Sequence, residues 1–311
     1  DLAKAEDNVI ESLGLIAQKI TSQEVSKNKL PLILIRVRNI EQFKEFTARL
    51  DRKKINLLTG FELPKFNSDN GIRYLEHLKK LKKKFDEVLY ALPVLEDEKV
   101  AYKENRMDEL INLKKIISSY KKLVLNMGIG GTSFSSLFNL RRDIDKTIYD
   151  LMNVKDCLND IMNFFNRKKE SYIFSGAVWE YFNNDYENDY KKLKEKDFPD
   201  LLFRNEKFIN KAVDGLLKEI ILDKANGFIG KGIIHPSQIK YVNAMQAVTK
   251  EKYEDALQIL DTTGGVIKSG QQNKMNEINP HQSWAKKIKY RAKAYGVIKD
   301  NSDYVKLFAH I

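Results

Sequence analysis

The chain has 311 residues, 42% hydrophobic and 31% charged, with Lys+Arg 54 against Asp+Glu 43 for a formal charge of +11. This is the composition of a globular protein, which excludes a disordered or collagen-like chain, and its length allows two average domains or one large α/β barrel. A single cysteine, Cys157, excludes an intramolecular disulfide framework and a cysteine-rich zinc site, and no apolar run approaches the ~18 residues of a membrane span. No secretory signal pattern is visible, so a cytoplasmic location and no membrane partner are expected. The basic balance suits an anionic partner. The densest run, Lys79-Lys80-Leu81-Lys82-Lys83-Lys84, reads instead as the solvated face of a helix. It lacks the interleaved aromatics of a nucleic-acid surface, and no nucleic-acid partner is expected.

Residues 1–20 read as an amphipathic helix. Strand-like apolar runs follow at 30–37, 57–63, 88–95, 123–129, 171–178 and 228–234. Helical stretches with apolar residues at i, i+3, i+4 and i+7 spacing lie between them, at 41–50, 71–85, 107–123, 145–165 and 207–224. Short buried strands alternating with helices predict βα units and a parallel sheet, and a continuous series of them favours a barrel. Residues 236–260 read as two helices, 262–280 as a polar loop and 283–297 as a final helix. The expected division is a barrel domain over 1–248 and a C-terminal helical extension over 249–311.

In parallel α/β folds ligands bind beyond the C-terminal ends of the strands. Here the predicted strands end in Arg36-Val37-Arg38-Asn39, Leu63-Pro64-Lys65, Leu95-Glu96-Asp97, Gly130-Gly131-Thr132-Ser133, Trp179-Glu180 and His235-Pro236. Cations with an isolated acid suit an anionic substrate and a hard metal held by carboxylate oxygen. Each residue also has a plainer role open to it. Arg36 suits a rim ion pair, Lys65 solvation and Glu96 a helix N-terminus. Trp179 suits the core, and His235 a structural turn. No Walker loop, nucleophile elbow or dinucleotide fingerprint is present.

Residues Gly227-Phe228-Ile229-Gly230-Lys231-Gly232-Ile233-Ile234-His235-Pro236-Ser237-Gln238 resemble the "GF-GK--IHP-Q" signature of the citrate lyase beta subunit and malyl-CoA lyase superfamily, the HpcH/HpaI aldolases. Arg36-Val37-Arg38 is similar to its "RVN", Leu63-Pro64-Lys65 to its "LPK", Leu95-Glu96 to its "IE", and the Gly130 to Phe134 turn to its "GA-D". A narrower resemblance, to the bacterial C–C bond lyase branch linked to tellurite-resistance and stress-response gene clusters, rests on three segments. These are Phe134 to Arg142, Val178-Trp179-Glu180-Tyr181-Phe182 and Lys274-Met275-Asn276-Glu277.

The resemblance implies a (β/α)8 TIM barrel, a Mg²⁺ (or Mn²⁺) ion, a homo-oligomer and aldol- or Claisen-type cleavage of an anionic substrate. In the better-known members that substrate is a β-hydroxyacyl-CoA. Carried over by position, Arg36 is the cation for substrate carboxylate and enolate, and Lys65 lines the anionic pocket. Glu96 and Ser133 fall at the metal-ligand positions. Arg38, Arg141, Arg142, Trp179, Glu180, Lys231 and His235 are the candidate substrate-binding residues. Arg141 and Arg142 suit phosphate or carboxylate, and Lys231 and His235 also suit fixing the last strand's turn. Two departures stand out. Ser133 occupies the place of the family's metal-binding aspartate, and a hydroxyl is a much weaker Mg²⁺ ligand than a carboxylate. That opens a second expectation, a metal-free barrel that binds an anionic ligand. The chain also begins at the helix that follows the family's first two strands, so those strands are expected in a native segment ahead of residue 1.

Overall fold

The computed structural model describes residues 2–182, 202 and 208–310. The chain divides into two compact units: 1–140 with 156–167 and 171–174, and 141–155 with 168–170 and 175–311.

The first unit is built on a parallel sheet in the order β1 (Ile33–Arg36), β2 (Leu58–Leu63), β3 (Tyr90–Leu95), β4 (Gly128–Ile129). Sequence order and spatial order coincide, as in a barrel, and the sheet has half the strand complement of a TIM barrel. Arg36 pairs with Glu62, Leu63 with Pro93, and Leu95 with Ile129, so the C-terminal ends of the strands lie along one edge. Gly60 lets β2 approach β3 closely, because a Cβ there would sit 1.8 Å from the Tyr90 carbonyl oxygen.

Helix α1 (Leu2–Thr21) opens the chain, and α2 (Ile40–Ala48) follows β1. The Asn39 side chain caps α2 by accepting from the Gln42 N–H at 2.8 Å. Helix α3 (Gly71–Phe85) buries Tyr74, Leu75, Leu78, Leu81 and Phe85, which share one face. Its Lys79, Lys80, Lys83 and Lys84 are exposed, as a solvated face requires. The α3 helix stops at Asp86, which takes a left-handed conformation (φ 53°). The core between sheet and helices is aromatic: Phe43 lies 4.7 Å from Phe61, ring centre to ring centre, with Phe46 and Phe66 also fully buried. Helices α4 (Lys103–Ser119), α5 (Gly131–Leu137) and α6 (Met152–Phe165) come next in the chain. The α6 Cys157 is buried beside Arg106, which binds Asp156 and Asp160 at 2.8 Å each.

The second unit carries helices α7 (Lys211–Ala225), α8 (Ile239–Gln246), α9 (Lys250–Asp261), α10 (Ile278–Tyr295) and α11 (Asp303–His310). One apolar cluster joins Trp179, Leu216, Leu217, Ile220, Met245 and Phe308. Another joins Val248, Ala256, Ile259, Ile278, Ala285 and Ile288.

Five sequence expectations are corrected. The strand expected at 123–129 pairs as a strand over its last two residues, with two further isolated bridges, Val124 to Ala91 and Met127 to Phe174. The runs 171–178 and 228–234 make isolated parallel bridges, Met127 with Phe174 in the first unit and Gly176 with Lys231 in the second. Left-handed Gly227 (φ 92°) precedes the second run and left-handed Gly230 (φ 75°) interrupts it. The polar segment 262–280 contains an antiparallel pair, Val266–Lys268 with Met275–Glu277. The helix expected from 283 begins at Ile278, with Pro280 tolerated in its first turn, and α11 follows it, burying Tyr304, Val305 and Phe308. No helix among the described residues is long and apolar enough to cross a membrane.

Candidate functional site

The strand ends of the first unit bring four of the predicted positions together. Arg36 closes β1, and its Nη2 donates to Glu96 Oε1 at 3.0 Å, while Nη1 binds Glu62. Glu96 follows β3 directly and is 6% exposed. Its Oε1 also accepts the Lys65 backbone N–H at 3.1 Å, and its Oε2 accepts the Ser133 hydroxyl at 2.9 Å. Lys65 reaches that position in a left-handed conformation (φ 47°), costly for a residue with a Cβ. The Asn70 side chain holds the turn by donating to the Lys65 carbonyl at 2.8 Å. Gly130 makes room for the acid, since a Cβ there would lie 2.2 Å from Glu96 Cβ and 2.5 Å from its Oε2.

The guanidinium of Arg36 has five N–H donors and gives two of them to carboxylates. Its side chain is 52% exposed, so the remaining donors are open to a ligand. Lys65 is exposed as well, and so is Arg38, whose backbone N–H donates to Gln42 Oε1. Glu62 is the residue that sequence reasoning missed. The available signal was a charged side chain one residue before the end of an otherwise apolar strand, Leu58-Thr59-Gly60-Phe61-Glu62-Leu63.

The second unit holds the other candidates. Arg142 is buried, and it binds Glu219 through Nη1, Glu180 through Nη2 at 2.7 Å and the Val178 carbonyl at 2.7 Å. It lies over the Trp179 ring at 4.8 Å, and the Trp179 indole N–H donates to the Ala212 carbonyl at 2.8 Å. Lys231 donates to Glu219 at 2.7 Å and to Asp223 at 2.8 Å, with all three side chains out of solvent. Tyr149 donates its hydroxyl to Asp223 at 2.7 Å. Burial pulls the Lys231 amine down, but the Asp223 and Glu219 carboxylates overcome it and hold the group above its usual value. Burial raises the Asp223 carboxyl even against Lys231, and burial with Asp223 beside it raises the Tyr149 phenol strongly.

His235 stacks on Phe182 at 4.3 Å, and its Nδ1 lies 2.9 Å from the Ser237 hydroxyl. Gln238 donates to the carbonyls of Trp179 and Tyr181 at 3.0 Å each. Arg141 is exposed. Glu219 and Asp223 were missed in the sequence, although two acids four apart among Ile220, Ile221 and Leu222 mark a helix face with buried charge.

The family model described as C-C bond lyase of the TIM-barrel fold matches residues 1–297. The chain belongs to that family. No curated protein matches the chain. Among solved structures, CitE from Mycobacterium tuberculosis in complex with magnesium, acetoacetate and coenzyme A is similar, at 15% identity and a TM-score of 0.47. The likeness covers 89% of this chain and 85% of that one.

A C–C bond lyase of this resemblance would be expected to hold Mg²⁺ at Glu96 and Ser133. Among the described residues no group of three or more His, Cys, Asp or Glu side chains converges. Glu96 already accepts three hydrogen bonds, and the guanidinium of Arg36 binds both nearby carboxylates. A divalent cation at this spot would face that guanidinium, with the Ser133 hydroxyl already donating to Glu96, and with Glu62 as the one further carboxylate. The donor set does not fit a dedicated Mg²⁺ site.

Proposed function

We propose that the chain is a C–C lyase that cleaves an anionic β-hydroxyacyl compound, with Arg36 as the cation that stabilises the enolate. The observation that carries this reading is the pairing of Arg36 with Glu62 and Glu96 at the C-terminal strand ends, in a member of a C–C bond lyase family.

Glu62 acts as the base. Its side chain is 29% exposed against 6% for Glu96, and its Oε2 accepts no hydrogen bond among the described residues. The substrate's β-hydroxyl proton passes to Glu62, and a carbonyl forms at the β-carbon. The bond between α- and β-carbons breaks, and its electron pair moves onto the acyl oxygen as an enolate. The open N–H donors of Arg36 stabilise that charge, and return of a proton to the α-carbon completes the reaction. Glu96 holds the guanidinium in place, Ser133 and the Lys65 N–H hold Glu96, and the Lys65 ammonium attracts the anionic end of the substrate. Arg142, Lys231 and Gln238 serve as the framework of the second unit. No step runs through a metal.

The test is a panel of free β-hydroxy acids and β-hydroxyacyl thioesters, coenzyme A thioesters included, offered to the full chain. Cleavage of one class, lost in Arg36→Gln and Glu62→Gln, supports the reading. Binding without cleavage of any member would favour the second reading, an anion-binding barrel, which Ser133 in place of a carboxylate motivates.

A further inference from the structure

Helix α10 turns Ala285, Ile288 and Ala292 into an apolar cluster of the second unit, which leaves Lys286, Lys289, Tyr290 and Lys293 together on its opposite, exposed face. Residues three and four apart on a helix are neighbours, so these four form one diamond. Lys286 and Lys293 lie at its ends, with Lys289 and Tyr290 side by side between them. The Tyr290 residue is 75% exposed. None of the four side chains makes a hydrogen bond, ion pair or ring contact among the described residues.

Other surface helices relieve a lysine with an acid one turn away: Lys79 with Glu76, Lys250 with Glu254, Lys306 with Asp303. Over its whole length α10 carries five Lys and Arg residues and no Asp or Glu, so that remedy is closed to it. Like charges at this spacing destabilise a helix. A polyanion laid along the face turns the repulsion into attraction, and the formal charge of +11 draws such a ligand to the chain.

We propose that this face of α10 binds single-stranded nucleic acid, with Lys286, Lys289 and Lys293 on backbone phosphates and Tyr290 stacked on an unpaired base. The tyrosine selects among polyanions. Every base offers a π-face, but a base inside a duplex already spends its faces on its neighbours, so an exposed aromatic among lysines suits a single strand. A helix that lies on a membrane inserts large apolar side chains. Those of α10 that point opposite this face are in the core, and the face itself offers one tyrosine. The lysine run at 79–84 supplies charge without an aromatic; α10 supplies both.

The experiment follows the fluorescence anisotropy of a labelled oligouridylate of about 20 nucleotides, titrated with the full chain over a series of salt concentrations. Saturable binding is expected, with log K falling linearly in log salt. The slope should shrink by about 0.7 for each lysine replaced in Lys286→Gln, Lys289→Gln and Lys293→Gln. Tyr290→Ala should weaken binding about fivefold or more and leave the slope as it is, a split that a merely positive surface does not give. All four side chains are exposed, so the variants keep the fold, and a Tm no lower than the parent's checks this. Lys80→Gln/Lys83→Gln, on the exposed face of α3, and Arg36→Gln should bind as the parent does. Absent binding at low salt, binding unaltered in Tyr290→Ala or in the α10 lysine variants, or equal binding of the matched duplex would each overturn the proposal. Binding of phosphatidylserine vesicles in place of the oligonucleotide would make the face a membrane contact instead. The outcome is independent of whether the Arg36 site cleaves a C–C bond.

Discussion

Arg36 Nη2 lies 3.0 Å from Glu96 Oε1, so the half-exposed cation at the end of one strand is anchored by a buried acid just past the end of another. The anchor depends on Gly130, whose missing Cβ leaves room for the Glu96 side chain. Gly130→Ala must displace Glu96, and overpacking of this kind costs about 1–3 kcal/mol. Urea unfolding should show a loss of that size together with weaker binding of a carboxylate ligand. Unchanged stability and binding would mean that Glu96 does not set the Arg36 position.

Ser133→Asp places a second carboxylate against Glu96 at the 2.9 Å hydrogen bond that Ser133 now makes. Two facing carboxylates repel unless a proton or a cation joins them. Mg²⁺ should stabilise Ser133→Asp, by about 2.7 kcal/mol at a hundredfold excess over Kd, and leave the parent chain unchanged. Thermal unfolding with and without Mg²⁺ checks this. A saturable Mg²⁺ effect on the parent chain, abolished by Glu96→Ala, would show that the native donor set holds metal after all.

Lys231→Met leaves Glu219 and Asp223 buried without their ammonium. Removing one partner of a buried pair costs about 3–5 kcal/mol. Urea unfolding of Lys231→Met should show a loss in that range, and the Glu219→Gln/Lys231→Met double variant should lose less than the sum of the two singles. Strict additivity would argue against a coupled network.

The network shows how far the sequence could be read. Order and C-terminal ends of the first three strands follow from their apolar runs, and the βα alternation gives the fold class. Arg36, Glu96 and Ser133 are legible because each lies where a strand stops. The last two expected strands have the right composition, but left-handed Gly230 breaks one of them, and backbone conformation at a glycine is not written in hydrophobic periodicity. Lys231 is visible as part of the glycine-rich signature, yet its partners Glu219 and Asp223 lie one helix earlier, and pairing across elements is a tertiary property. Glu62 was hidden for the same reason: its meaning comes from the Arg36 beside it in the sheet.

Lys224 gives the fold a pH dependence. Burial, with repulsion from Arg291 and then Lys252, drives its folded value down to about 7, below the ordinary 10.5, so between these limits the unfolded chain binds more protons than the folded one. Stability from this group therefore rises with pH from about 7 toward 10.5, by up to ~1.4 kcal/mol per pH unit before solvent screening reduces it. Lys224→Met should flatten that slope in urea titrations from pH 7 to 10. An equal slope in both proteins would place Lys224 in ordinary solvent.

The most direct test of the central claim is α-proton exchange. The full chain, stripped of metal by EDTA, is incubated in D₂O with pyruvate or acetyl-CoA, and loss of the α-proton signal is followed by NMR. Enolate stabilisation by Arg36 predicts exchange in the metal-stripped parent chain that falls by about 10²-fold or more in Arg36→Gln. Exchange that proceeds equally in Arg36→Gln, or that requires added Mg²⁺ in the parent chain, would contradict it.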